Sequence, residues 1–244
     1  GVACRTGDGD RPPRRAAGRR AGAPALDGGG GPRSPPSETL TPPLPAPSPA
    51  RHGLSTNFFY DRGTKADVFM EQVSFVQEPL VFERFKAAGW STALVTAKEK
   101  LTKLLRRGLD VCVDMKTHPE AHRAAAGAPP EIFSLDINLW VFRMAREGAL
   151  RERPDFLYVA PTDYPQHMLA PDEPAMQRYL EASDEALGQL LDVYDPGETL
   201  VILTADHGMN AKLRSVSPVK VLAEAGISTH GVPLIRDGLY AHHR

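Results

Sequence analysis

The chain has 244 residues, of which 41% are hydrophobic, enough for one α/β domain with a buried core. Its formal net charge of −1 supplies no field that would steer it to nucleic acid or to an anionic membrane surface. No apolar run reaches the roughly 18 residues of a membrane span, and the N-terminus lacks the apolar stretch of a secretory leader. These features point to a soluble, cytoplasmic protein.

Residues 1–50 hold 9 Gly and 11 Pro with almost no aliphatic periodicity. Such a segment buries too little apolar surface to offset its chain entropy, and it reads as a disordered arm. Its seven Arg are interspersed with four acidic residues, which fits a solvated coil better than a nucleic-acid-binding arm. Ordered sequence is expected over 51–244.

The Phe58-Phe59-Tyr60 cluster opens that region. A short helix is predicted over Pro79–Ala88, stopped by Gly89, followed by a buried strand over Ser91–Thr96. A helix starts at Ala97-Lys98-Glu99-Lys100 and runs to Arg107, and a second strand covers Leu109–Val113. The Ala-, His- and Pro-rich stretch Lys116–Pro130 reads as a loop. Helical spacing returns over Ile132–Glu147, with Leu135, Leu139, Phe142 and Met144 on the expected inner face.

Downstream, a strand (Phe156–Ala160), a polar loop, a helix (Glu173–Val193), a turn at Asp195-Pro196-Gly197 and a strand (Thr199–Leu203) read as one βαβ unit with parallel strands. A last helix is expected over Pro218–Ala225. Ligands of open parallel sheets sit at the carboxyl ends of the strands, where the two most informative segments fall. They are Thr162-Asp163-Tyr164-Pro165-Gln166-His167 and Thr204-Ala205-Asp206-His207-Gly208-Met209-Asn210.

Zinc takes Asp oxygen and His nitrogen, and Asp163 and His167 are spaced to wrap one ion from a loop or first helical turn. Adjacent Asp206 and His207 can converge only where the chain bends, a freedom that Gly208 supplies. Lys98 and Lys100 stand at a helix start, where the dipole disfavours cations, and this misfit counts towards function. His118 and His122 lie in the Ala/Pro-rich stretch with no strand to position them, so a metal-binding role for them is disfavoured.

These segments, with His52-Gly53, the Asn57-to-Asp61 stretch and Val95-Thr96-Ala97-Lys98-Glu99-Lys100-Leu101, resemble the alkaline phosphatase superfamily, and within it the phosphonoacetate hydrolases. The resemblance runs from about Ser48 to the end of the chain. It implies a mostly parallel sheet flanked by helices, with a small cap region at about 96–150. It also implies a binuclear zinc hydrolase that cleaves the carbon–phosphorus bond of phosphonoacetate to acetate and phosphate.

By resemblance, Asp163 and His167 hold one zinc and Asp206 and His207 the other, Lys98 and Lys100 grip the substrate carboxylate, and Asn57 donates to a phosphoryl oxygen. The implied partner is a small-molecule phosphonate, with no nucleic acid or membrane; a homodimer is compatible with this reading. His242 and His243 resemble a His-His pair of the family.

An early Asp ligand, a nucleophilic Thr flanked by Asn and a late His, which the family site also needs, have no match here. Thr39 and Thr41 are weak stand-ins for the nucleophile, which leaves the catalytic residue unknown. The sequence is therefore expected to be a partial domain, incomplete at both ends, with weak zinc affinity and impaired turnover. The alternatives are a phosphodiesterase or phosphatase of the same superfamily, which would use the same zinc ligands, and a non-catalytic remnant.

Overall fold

The computed structural model describes residues 48–54, 58–205, 207–210, 214 and 216–228. A single helical turn, α1 (Pro49–His52), leads to an antiparallel pair, β1 (Phe58–Asp61) and β2 (Ala66–Phe69), in register from Phe58↔Phe69 to Asp61↔Ala66. The Asp61 carboxylate closes the connecting turn by accepting from the Gly63 N–H at 2.9 Å and the Thr64 hydroxyl at 2.7 Å. A 3-10 turn at Val73–Phe75 and helix α2 (Val81–Ala87) follow.

The organising element is β3 (Thr92–Thr96), buried along its whole length. It lies between β4 (Val111–Val113) and β5 (Phe156–Ala160) and is parallel to both, which gives a three-stranded sheet in the order β4-β3-β5. Alternation along β3 assigns its side chains to two faces. Ala93 and Val95 join Val111 and Val113 under Ile137, Trp140, Val141, Met144 and Ala145 of α5 (Asp136–Arg151). Leu94 faces the other way, onto Phe82 of α2, Leu109 and Cys112.

The sheet is thus covered on both faces, as parallel sheets require. Helix α7 (Pro174–Leu191) packs on α5 and adds Leu190 to the larger core. The remaining helices are α3 (Glu99–Leu104), α4 (Glu120–Ala126), α6 (Tyr164–Met168) and α8 (Pro218–Glu224). Helix α5, within the span expected for the cap, forms one layer of this core. No helix among the described residues is long and apolar enough to cross a membrane.

Three local expectations are corrected. The stretch read as a loop over 116–130 contains α4, whose buried face is His122 and Ala126, residues that a hydropathy pattern does not register as a stripe. Helix α5 starts later than predicted and is rotated: its fully buried face is Ile137, Asn138, Trp140, Val141, Met144, Ala145, Gly148 and Ala149, and of the four expected inner residues only Met144 belongs to it.

The predicted strand at Thr199–Leu203 forms no strand, and Leu200 and Leu203 are 85% and 84% exposed. Its β-branched composition signals compatibility with a sheet without supplying a partner. Among the described residues β5 is therefore an edge strand.

Candidate metal centre

The site grows from the register of β3 and β5. Thr96 is paired with Ala160, so both chains leave the sheet side by side at their carboxyl ends. After β3, buried Ala97 leads to Lys98, whose N–H is held by the Thr96 hydroxyl at 3.2 Å. After β5, Pro161 and buried Thr162 lead to Asp163, the residue that enters α6. The His167 N–H returns to the Asp163 carbonyl at 3.2 Å, a single helical turn that brings side chains four apart onto one side.

The Asp163 carboxylate is shared. Its Oδ1 accepts from Lys98 Nζ at 2.9 Å, and its Oδ2 lies 3.0 Å from His167 Nε2. The imidazole is almost fully buried, while the carboxylate is half-exposed. Partial burial by itself raises the Asp163 carboxyl, but hydrogen bonding and charge from Lys98, with the further bond to His167, outweigh it and hold the group well below the usual carboxylate range. Lys100 is half-buried, and its ammonium is pushed below the ordinary lysine value mainly by desolvation, with Lys98 adding to the shift and Glu71 opposing it.

A carboxylate oxygen and an imidazole nitrogen 3.0 Å apart nearly span one edge of a tetrahedral zinc site, which is about 3.3 Å for ligands at 2.0–2.1 Å. Asp163 and His167 therefore suit two of the donors of a divalent cation, and Lys98 supplies the positive charge beside them. His207 is exposed, with its Nδ1 donating to the Gly208 carbonyl at 3.0 Å. Among the described residues no group of three His, Cys, Asp or Glu side chains gathers to hold an ion. Asp206, Asn57, Thr39, Thr41, His242 and His243 lie outside the described residues.

The remaining histidines of the core have structural tasks. His122 is fully buried on α4 with its Nε2 3.0 Å from Glu152 Oε1, and His118 Nδ1 bonds the Asp114 carbonyl at 3.0 Å. The Lys98–Asp163 pair bridges 65 positions of sequence and depends on strand register, so only the fold reveals it.

The family model for type I phosphodiesterase / nucleotide pyrophosphatase matches residues 46–238, and the chain belongs to that family of metallo-hydrolase type. Among solved structures it is similar to phosphonoacetate hydrolase from Sinorhizobium meliloti 1021, determined in complex with phosphonoformate and with phosphonoacetate. In both comparisons the identity is 31% and the TM-score 0.54, over 59% of this chain and 39% of that one. The chain thus spans well under half the length of those relatives, with the same alkaline-phosphatase-like arrangement of a mostly parallel sheet flanked by helices.

Proposed function

We propose that this chain belongs to a zinc-dependent hydrolase that cleaves the carbon–phosphorus bond of phosphonoacetate. The observation that carries this reading is the single carboxylate, Asp163, contacted by both His167 and Lys98 at the carboxyl ends of adjacent parallel strands. Similarity to the phosphonoacetate hydrolase structures supports the substrate class.

Asp163 and His167 would hold one zinc, and Asp206 and His207 a second. Bound zinc ions in such a pair polarise the phosphoryl oxygens and lower the pKa of an attacking oxygen. The residues of this chain would do the rest. Lys98 and Lys100 would face the substrate carboxylate and stabilise enolate-like charge as the carbon–phosphorus bond breaks. Asn57 would donate to a phosphoryl oxygen. In the balanced reaction an oxygen from water bonds to phosphorus, and the methylene carbon takes a proton to become the methyl of acetate.

The test is a zinc titration of the full chain combined with measurement of acetate and phosphate released from phosphonoacetate, repeated for Asp163→Asn. Zinc binding that Asp163→Asn abolishes, together with whatever release the parent shows, is expected; zinc binding unaffected by Asp163→Asn defeats the reading. The family's phosphodiesterase description favours a second reading, hydrolysis of a phosphate ester at the same ligands. Turnover of p-nitrophenyl phosphodiesters that Lys98→Ala leaves intact, with none of phosphonoacetate, would select it.

A further inference from the structure

Where β5 ends at Ala160, the backbone of Thr162 has left the ladder yet stays buried, so its N–H and C=O need partners from elsewhere. One side chain supplies both. Asn138, fully buried on α5, accepts from the Thr162 N–H through Oδ1 at 2.7 Å and donates from Nδ2 to the Thr162 carbonyl at 2.6 Å. A carboxamide offers a donor and an acceptor side by side without having to take up a proton, reproducing what a neighbouring strand would give.

The second Nδ2 hydrogen goes to the hydroxyl of Tyr179, a buried residue of α7, at 2.6 Å. Thr162 itself fixes which edge of the amide faces it, because the reversed amide would place NH2 against the Thr162 N–H and the amide oxygen against the Thr162 carbonyl; the Tyr179 contact ties the remaining hydrogen to α7. Two core helices therefore converge on the residue just before Asp163. Thr162 extends the hold: its hydroxyl lies 3.4 Å from Asp163 Oδ1 and accepts from the Tyr164 N–H at 3.3 Å.

We propose that Asn138, with its amide tethered to Tyr179, is a positioning residue that fixes the backbone at Thr162 and thereby sets the aim of Asp163 and His167. The part of this inference that concerns the ion rests on the zinc reading above. Nothing in a hydropathy pattern marks Asn138 beyond its being a polar residue flanked by Ile137 and Leu139 on a helix.

The test compares Asn138→Ala and Tyr179→Phe with Trp140→Phe, a change on the same helix that removes a different buried bond, from the indole N–H to the Gly127 carbonyl. Amide hydrogen exchange reads the loop without any metal. The His167 and Leu169 amides, bonded to the Asp163 and Pro165 carbonyls, should exchange about tenfold or more faster in Asn138→Ala than in the parent, and less markedly faster in Tyr179→Phe. Amides of β3 should stay protected in these two variants, and His167 and Leu169 should stay protected in Trp140→Phe.

Titration with zinc alone should show affinity lowered roughly 10–100-fold by Asn138→Ala, the range for groups that orient metal ligands, and unchanged by Trp140→Phe. Unaltered exchange at His167 and Leu169, or acceleration spread evenly over the fold, overturns the proposal. So does zinc binding by Asn138→Ala as tight as that of the parent. If the parent itself binds no zinc, the metal reading fails, and the exchange data alone decide whether the clamp exists.

Discussion

Replacing Lys98 by methionine keeps an apolar stem of similar length and deletes the ammonium that now engages Asp163. The local fold should tolerate the change, because α3 uses no side-chain cap from Lys98 and the Lys98 N–H keeps its bond to the Thr96 hydroxyl. The ion pair measures 2.9 Å, with side chains 33% and 50% exposed, so its worth is that of a solvent-screened pair, about 0.2–1 kcal/mol. A cation held between Asp163 Oδ2 and His167 Nε2 must share the carboxylate's charge with Lys98 on Oδ1 and meets the repulsion of its ammonium. Zinc affinity of Lys98→Met should therefore rise by up to about fivefold at low ionic strength, since about 1.4 kcal/mol corresponds to a factor of ten. In 1 M salt, where the Debye length falls to about 3 Å, the parent and the variant should converge. A competition titration against a chromophoric zinc chelator at both salt concentrations measures this. Affinity that is unchanged or weaker in Lys98→Met at low salt would show that Lys98 does not compete for the carboxylate, and the argument from the pair would fail.

The depressed Asp163 carboxyl gives a pH dependence of definite sign. Its stabilisation is complete above the ordinary value of 3.8 and is lost as pH falls below it towards the folded-state value, so the stability gap between the parent and Asp163→Asn, about 0.5–1 kcal/mol for a half-exposed pair, should hold from pH 7 to pH 5 and shrink below pH 4 in urea denaturation. Trp140→Ala removes a fully buried side chain and its bond to the Gly127 carbonyl, and should cost about 3–5 kcal/mol by the same method. Gly108→Ala drives a Cβ into the Glu83 backbone nitrogen at a φ of +83°, so a loss of at least about 1–3 kcal/mol is expected; a neutral result would mean that the approach of this turn to α2 is loose.

The parts of the fold visible in the sequence are those in which side-chain composition and burial coincide. Thr92–Thr96 and Phe156–Ala160 are apolar or β-branched runs that each follow a polar residue, Ser91 or Asp155, and both are strands. Helix α4 is hidden because its inner face is His122 and Ala126, and the phase of α5 is ambiguous because apolar residues lie on more than one side, Leu139 and Phe142 beside the buried Ile137, Trp140 and Val141, while buried Asn138 reads as outward. At the site, the i, i+4 spacing of Asp163 and His167 was legible because one helical turn converts spacing into contact. The roles of Lys98 and Asn138 towards the same loop were not, since strand register and helix packing bring them there.

The two lysines that the sequence groups together differ physically. Lys98 already spends its charge on Asp163, whereas the ammonium of half-buried Lys100 is held below the ordinary lysine value chiefly by desolvation, which the opposing pull of Glu71 does not cancel. A desolvated cation gains more from an arriving anion than a hydrated one does, because part of its hydration has already been lost. If a carboxylate-bearing phosphonate is the substrate, Lys100 is the stronger anchor, and the charge-assisted bond it would make is worth about 1.5–3 kcal/mol. Lys100→Met should then raise KM for phosphonoacetate about 10–100-fold, more than Lys98→Met does, with little change for a phosphodiester that carries no carboxylate. Equal effects of the two lysines, or an equal loss with both substrates, would mean that the local field and not a carboxylate contact is what Lys100 provides.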